Sequence, residues 1–230
     1  MCYSAESSLK TSAVSAAAII YLLCSGIPHF QWLGITLIGW CGMQFAEYLL
    51  WTTNPDISCT YLNTVITMTL IPVVLILQPV GSMLGSLFVI PWSKSGDVRK
   101  MAITAFVCVN IFIIWYFHFY DVQRNCTIVS QEGHLNWNTT KYDPQDNLHP
   151  FYVFIYFVWA IIIGLPLLLY WNRSWLFMSL ILTMPIFGFV YGLYTDSKAS
   201  LWCYYTSYTS YIVAGALIAK QMGITDALYW

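Results

Sequence analysis

Long apolar runs alternate along this chain with short polar breaks. A helix that crosses a bilayer needs roughly 20 apolar residues, and seven stretches approach or exceed that length. They run from Thr11 to Ile27, Phe30 to Trp51, Thr60 to Ile90, Met101 to Tyr120, Phe151 to Tyr170, Ser174 to Tyr194 and Leu201 to about Ala219. Only Pro28 and His29 separate the first two, which predicts a tight helical hairpin. The third holds Pro72 and Pro79 and is too short for two spans with a connection, so it reads as one kinked, tilted helix. Backbone groups must be paired in lipid, and no stretch shows the alternation of a membrane barrel strand, so every span is expected to be helical. The expected fold class is therefore all-α: a polytopic membrane helix bundle of seven transmembrane helices forming one domain over residues 1–230. The segment before the first span, MCYSAESSLK, balances its one Lys with one Glu, and cleavage after Cys24-Ser25-Gly26 would destroy the hairpin. The first span is accordingly read as retained rather than as a signal peptide.

Composition agrees with this pattern. The chain is 59% apolar, 18% aromatic and 8% charged, with a mean hydropathy of +0.65, whereas soluble domains carry about 25% charged residues. So little charge leaves lipid as the solvent and membrane lipid as the expected partner. A net charge of -1 excludes a nucleic-acid footprint.

The one long hydrophilic run, Asp121 to Pro150, orients the molecule. With the N-terminus outside and the C-terminus inside, the inner segments hold Lys94, Arg99, Lys100, Arg173 and Lys220 against Lys10, Arg124, Lys141 and Lys198 outside. Three of the five inner charges lie in the single short loop SKSGDVRK, which carries the positive-inside argument. That orientation places the long run outside with its two Asn-x-Thr sequons, at Asn125 and Asn138, which become candidate glycosylation sites. It also puts Cys2, Cys59, Cys126 and Cys203 on the side where disulfides persist. The expected bridges are Cys59–Cys126, which staples the long loop, and Cys2–Cys203, which ties the N-terminal segment to the last helix. Cys24, Cys41 and Cys108 fall inside spans and read as packing residues.

Several short motifs resemble a family of seven-span membrane proteins of unknown function. They are the opening Met1-Cys2-Tyr3-Ser4-Ala5 with Ser8, the Gln78-Pro79 pair, Gly133-His134-Leu135-Asn136-Trp137 and Trp202-Cys203. Members of that family begin Met-Cys-Trp-Ser-Ala, with an aromatic residue before Gln-Pro and a Gly-x-x-His-x-x-Trp-like loop. This chain has Tyr3, Leu77 and a directly joined Gly133-His134 at those places. The resemblance covers nearly the whole chain and implies the seven-span architecture and paired outer cysteines. It implies no activity.

Candidate chemistry gathers toward the outer half. Glu47 is the one acid inside a span, about a turn from the outer end of the second helix. Because a carboxylate in lipid costs a few kcal/mol, it is expected to face the bundle interior, either as a ligand- or proton-handling group or in a structural hydrogen bond to Tyr or Trp. His118, His134, Glu132 and His149 share the outer side, but none is spaced as a metal ligand and neither HExxH nor CxxC occurs, so no metal or other cofactor is expected. Tyr204, Tyr208 and Tyr211 form an i, i+4, i+7 stripe on a hydroxyl-rich last helix, continued by Gly215. Such hydroxyls hold membrane helices together or line a polar cavity. Gln78 and Asn110 add buried amides, and Pro79 and Pro185 interrupt backbone pairing.

No Lys lies mid-membrane in the last span, and Lys220 sits at its inner end, which argues against retinal attachment; receptor signatures of the Asp-Arg-Tyr or Asn-Pro-x-x-Tyr type are absent. The preferred reading is a multi-pass membrane protein with an outward-facing polar pocket that binds or moves a small molecule or lipid. Glu47, Gln78, His118 and the tyrosine stripe would line it, and His134 would sit in the lid. The alternatives are an integral-membrane lipid hydrolase or transferase using Glu47 with His118 or His134, and a structural membrane protein. Oligomeric state is not legible.

Overall fold

The computed structural model describes residues 4–89, 126–130, 133–137 and 198–224, with isolated helical positions between 103 and 111 and between 183 and 191. The span expected at Phe151–Tyr170 lies outside the described residues, as do most of those at Met101–Tyr120 and Ser174–Tyr194.

Helix α1 (Ala5–Leu23) starts at Ala5 rather than Thr11 because Ser4 caps it, its side chain accepting from the Ser7 N–H at 3.2 Å. The added turn is polar and carries the exposed Lys10–Glu6 ion pair. At the other end, Gln31 Nε2 donates to the Leu23 carbonyl at 3.1 Å, filling one of the acceptors a helix end leaves open. The hairpin connection is therefore Cys24 to Ile27, just ahead of the Pro28-His29 break expected. Pro28 takes the first position of α2 (Pro28–Trp51), where its missing N–H costs nothing.

Helix α2 is the central post. Trp32, Leu33, Leu37, Trp40, Met43, Ala46 and Leu50 are buried around it, so it is apolar on more than one face. The third apolar stretch is one continuous helical rod, as its length required: α3 (Tyr61–Val65), a π-helical turn (Ile66–Leu70) and α4 (Ile71–Val89). The π turn stands immediately before Pro72, whose ring would crowd the carbonyl four residues back and offers it no N–H. The wider turn accommodates both defects.

The α2–α4 pair is antiparallel and touches backbone to backbone. A Cβ on Gly39 would lie 2.5 Å from the Leu77 carbonyl oxygen, and one on Gly81 would lie 2.8 Å from that of Ile35. Trp32 Nε1 donates to the Ser82 carbonyl at 3.0 Å beside this contact. Helix α5 (Lys198–Gln221) packs on α2, with Trp40 and Trp202 centroids 6.1 Å apart. It runs parallel to α1, because Tyr211 Oη donates to the Thr11 carbonyl at 3.3 Å while Tyr21 bonds Gln221 at the far end. On its outer side, Phe187 meets Tyr205 edge-on at 4.9 Å.

The described part of the long loop is an antiparallel hairpin, β1 (Ile128–Val129) with β2 (Leu135–Asn136), pairing Ile128 with Asn136 and Val129 with Leu135. Gly133, at φ 79°, takes the left-handed position its turn requires. The Cys59–Cys126 bridge is formed, with Cα atoms 5.8 Å apart. The Cys2–Cys203 bridge is not. Cys203 is a free thiol, 1% exposed, and Cys2 lies outside the described residues. Helix α5 begins at Lys198 rather than Leu201, which draws Cys203 more than a turn into the bundle and turns its sulfur to α4 instead of the surface.

Among the described residues, two helical rods, Pro28–Trp51 and Tyr61–Leu84, are long and apolar enough to cross a membrane.

Gly39→Ala is expected to destabilise the fold by about 3 kcal/mol, the upper part of the overpacking range, since backbone rather than a flexible side chain must move. Gly42→Ala, whose Cβ would meet Val74 Cγ1 at an ordinary 3.6 Å, should leave the melting temperature in detergent nearly unchanged. Equal melting of the two variants would contradict the backbone contact.

Candidate functional site

A polar centre lies where α2, α4 and α5 meet. Gln44 and Glu47 stand three residues apart on α2 and so share a face. Gln44 Nε2 donates to Glu47 Oε2 at 3.2 Å, and neither residue is exposed. Glu47 is fully buried, as expected, and the Gln44 amide one turn earlier is one of its partners. From α5, Cys203 comes close enough to feel the Glu47 charge. From α4, Gln78 Nε2 points to Cys203 Sγ at 3.9 Å. Its other fork, Oε1, is buried without a hydrogen-bond partner. Gly39 fixes this depth, because its missing side chain lets the Leu77–Gln78 backbone press against α2.

The hairpin roofs this centre. Asn63 holds Thr127 as a neighbouring strand would: its Oδ1 accepts from the Thr127 N–H at 2.9 Å and its Nδ2 donates to the Thr127 carbonyl at 2.9 Å. Thr67, in the π turn, hydrogen bonds the Thr127 hydroxyl at 2.8 Å and donates to Asn63 Oδ1 at 3.2 Å. The Cys59–Cys126 bridge lies next to this clasp. Leu135 and Trp137 insert among Met43, Ala46, Leu50 and Cys203, so the roof and the centre share one apolar wall. His134 is 2% exposed, and burial holds its imidazole below the ordinary 6.5.

Beneath the centre the small polar residues serve helix packing. Thr206 and Ser207 donate to the Cys203 carbonyl at 2.9 and 2.8 Å, and Ser210 to the Ser207 carbonyl at 2.6 Å. Ser210 also reaches Ser15 of α1 at 3.2 Å, with the Cys41 thiol facing both hydroxyls. The tyrosine stripe forms a neighbouring row. It stands one position on from Cys203, about 100° round the helix. Tyr204 and Tyr208 share a hydrogen bond, the rings of Tyr208 and Tyr211 meet edge-on at 5.3 Å, and Tyr211 reaches α1.

Of the residues singled out in the sequence, Glu47 and Gln78 meet around Cys203 beneath the hairpin that carries His134. Asn110 is a half-buried helical residue. His118, Glu132, His149, Asn125 and Asn138 lie outside the described residues. Among the described residues no three of His, Cys, Asp and Glu gather as a metal site would require. Sequence reasoning missed Gln44, Asn63 and Thr67. The spacing of Gln44 to Glu47 was a readable signal, whereas the clasp on Thr127 joins positions 64 apart and had none.

In comparisons with known proteins, no family model, no curated protein and no solved structure matches this chain.

Because the folded pKa of His134 is depressed, its contribution to stability is complete above about 6.5 and falls away as pH drops toward the folded value. Hydrogen exchange in residues 126–137 should quicken on acidification below that point, and His134→Asn should flatten the dependence. Asn63→Ala should quicken the same amides at neutral pH, equivalent to about 1–3 kcal/mol for a buried backbone pair left unmatched. A hairpin as protected in Asn63→Ala as in the wild type would dismiss the clasp.

Proposed function

We propose that this is a multi-pass integral membrane protein of seven helices, N-terminus outside, that binds or moves a small molecule or lipid at a polar site beneath its outer hairpin. Two features support the topology. Helices α1 and α5 run parallel and side by side, which for first and last spans requires an odd number of crossings. The Cys59–Cys126 bridge joins the α2–α3 connection to the long loop, so both lie on one side, and a disulfide suits the outer one. The family resemblance in the sequence motifs points the same way.

The binding reading rests on one observation above the rest. Gln78 Oε1 is fully buried with no hydrogen-bond donor, while the same amide's nitrogen points to Cys203 of α5. An unmatched buried acceptor costs about 1–3 kcal/mol, and a site that binds a donor-bearing ligand regains that in the complex. The structural alternative draws on Thr206, Ser207 and Ser210 of α5, whose hydroxyls are satisfied by their own helix backbone and need no ligand.

Native mass spectrometry of the detergent-purified chain separates the two. The binding reading expects a retained molecule that Gln78→Leu releases, together with a melting temperature held or raised, because an unmatched polar atom is replaced by an apolar one of similar size. Equal retention by Gln78→Leu and wild type would remove the site.

A further inference from the structure

The rod made of α3, the π turn and α4 is divided between two partners. Its α4 part is fixed to α2 by the backbone contacts at Gly39 and Gly81, and by Trp32 donating to the Ser82 carbonyl. Apolar side chains of the rod enter the bundle at Ile66 and Ile71, the first residues of the π turn and of α4. Helix α3 differs. Tyr61 and Leu62 are 86% and 56% exposed, and the one buried side chain of α3 is Asn63. That side chain commits both ends of its amide to Thr127 of the loop.

Three residues at intervals of four, Cys59, Asn63 and Thr67, tie this stretch to the start of the hairpin. Cys59 is bonded to Cys126, Asn63 brackets the Thr127 backbone, and Thr67 meets the Thr127 hydroxyl. The Thr64 hydroxyl lies 3.5 Å from Cys59 Sγ, and the Thr60 hydroxyl caps α3 by accepting from the Asn63 N–H at 3.2 Å. Helix α3 is thus fastened to the hairpin covalently and by directional hydrogen bonds, which cannot be broken inside the protein without leaving polar atoms bare.

The π turn separates the two parts. In it the Ile71 N–H reaches back five residues to the Ile66 carbonyl, and Pro72 after it has no N–H to give. Helices bend where the regular ladder is interrupted in this way. Toward α2 and α5 the hairpin presents Leu135 and Trp137, buried among Met43, Ala46, Leu50 and Cys203. Apolar contacts of that kind are non-directional and can be released and remade. Trp137 Nε1 is also buried without a hydrogen-bond partner, a donor that leaving the wall would return to water. We infer that α3 and the hairpin form one rigid lid that turns about the π turn. Opening withdraws Leu135 and Trp137 together and uncovers Cys203, the neighbour of Gln78. Such a lid would serve any occupant of the polar centre and requires none.

The test uses the full chain in detergent, with the native Cys203 thiol as reporter of the covered wall. Trp137→Ala, and Leu135→Ala as a milder second variant, should speed labelling of Cys203 by a water-soluble maleimide about tenfold or more, read by peptide mass spectrometry. Cys41, buried in the neighbouring core, should label no faster. Hydrogen exchange over residues 61–67 and at Thr127 should stay as slow as in the wild type, since a rigid lid keeps its own hydrogen bonds. In a Cys24→Ser background, nitroxides at Tyr61→Cys and Phe45→Cys, both exposed positions, should report a shifted or broadened distance in the same two variants. Quickened exchange at Thr127, or an unmoved Tyr61–Phe45 distance, would mean that the hairpin peels away from α3, and would overturn the joint lid. Unchanged labelling of Cys203 in both variants, or equal acceleration at Cys41, would overturn lid opening itself.

Discussion

Everything described here depends on the close approach of α2 and α4. Two glycines, Gly39 and Gly81, face the opposite backbone with no room for a methyl group. Membrane helices gain little from apolar burial against one another, since lipid is equally apolar, so small residues at the crossing set how tightly they pack. This contact seats Gln78 at the depth of the central helix. Were the two rods farther apart, the amide of Gln78 would no longer meet Cys203 across α2.

The second constraint is the grip on the hairpin of β1 and β2. A two-strand hairpin of this size is marginal alone in water. Here it is held by a covalent bridge at Cys126, by the Asn63 amide acting as a strand edge for Thr127, and by Leu135 and Trp137 buried in the bundle. The π turn before Pro72 serves the same end. It carries Thr67, whose hydroxyl joins the Thr127 hydroxyl to Asn63. A sequence-level irregularity in the helix therefore coincides with the point where the loop is clamped.

The polar residues of α5 divide between two jobs. Thr206, Ser207 and Ser210 return their hydrogens to their own backbone, which keeps them compact and lets α1 and α2 come close. Cys203, one turn nearer the start of the helix on the same face, meets Gln78 instead. The helix is thus a packing surface along most of its length and part of the polar centre near its N-terminal end.

What the sequence determined by itself is what depends on composition and local rules: helical rods of membrane length, a tight helical hairpin ahead of Pro28, a single rod across Pro72, a buried Glu47, and a long loop stapled through Cys59 and Cys126. Those follow from hydrophobic length, proline chemistry and the cost of an unpaired carboxylate. The tertiary structure decided which faces meet. Cys203 turned inward because α5 starts a turn earlier than its apolar stretch, and the tyrosine stripe became a neighbouring row because one residue of offset is about 100° of rotation. Asn63 found Thr127 across 64 positions of sequence. Rotation about a helix axis and pairing between distant segments are fixed by packing against neighbours, and an apolar stretch that is greasy on every side carries no periodicity from which to read them.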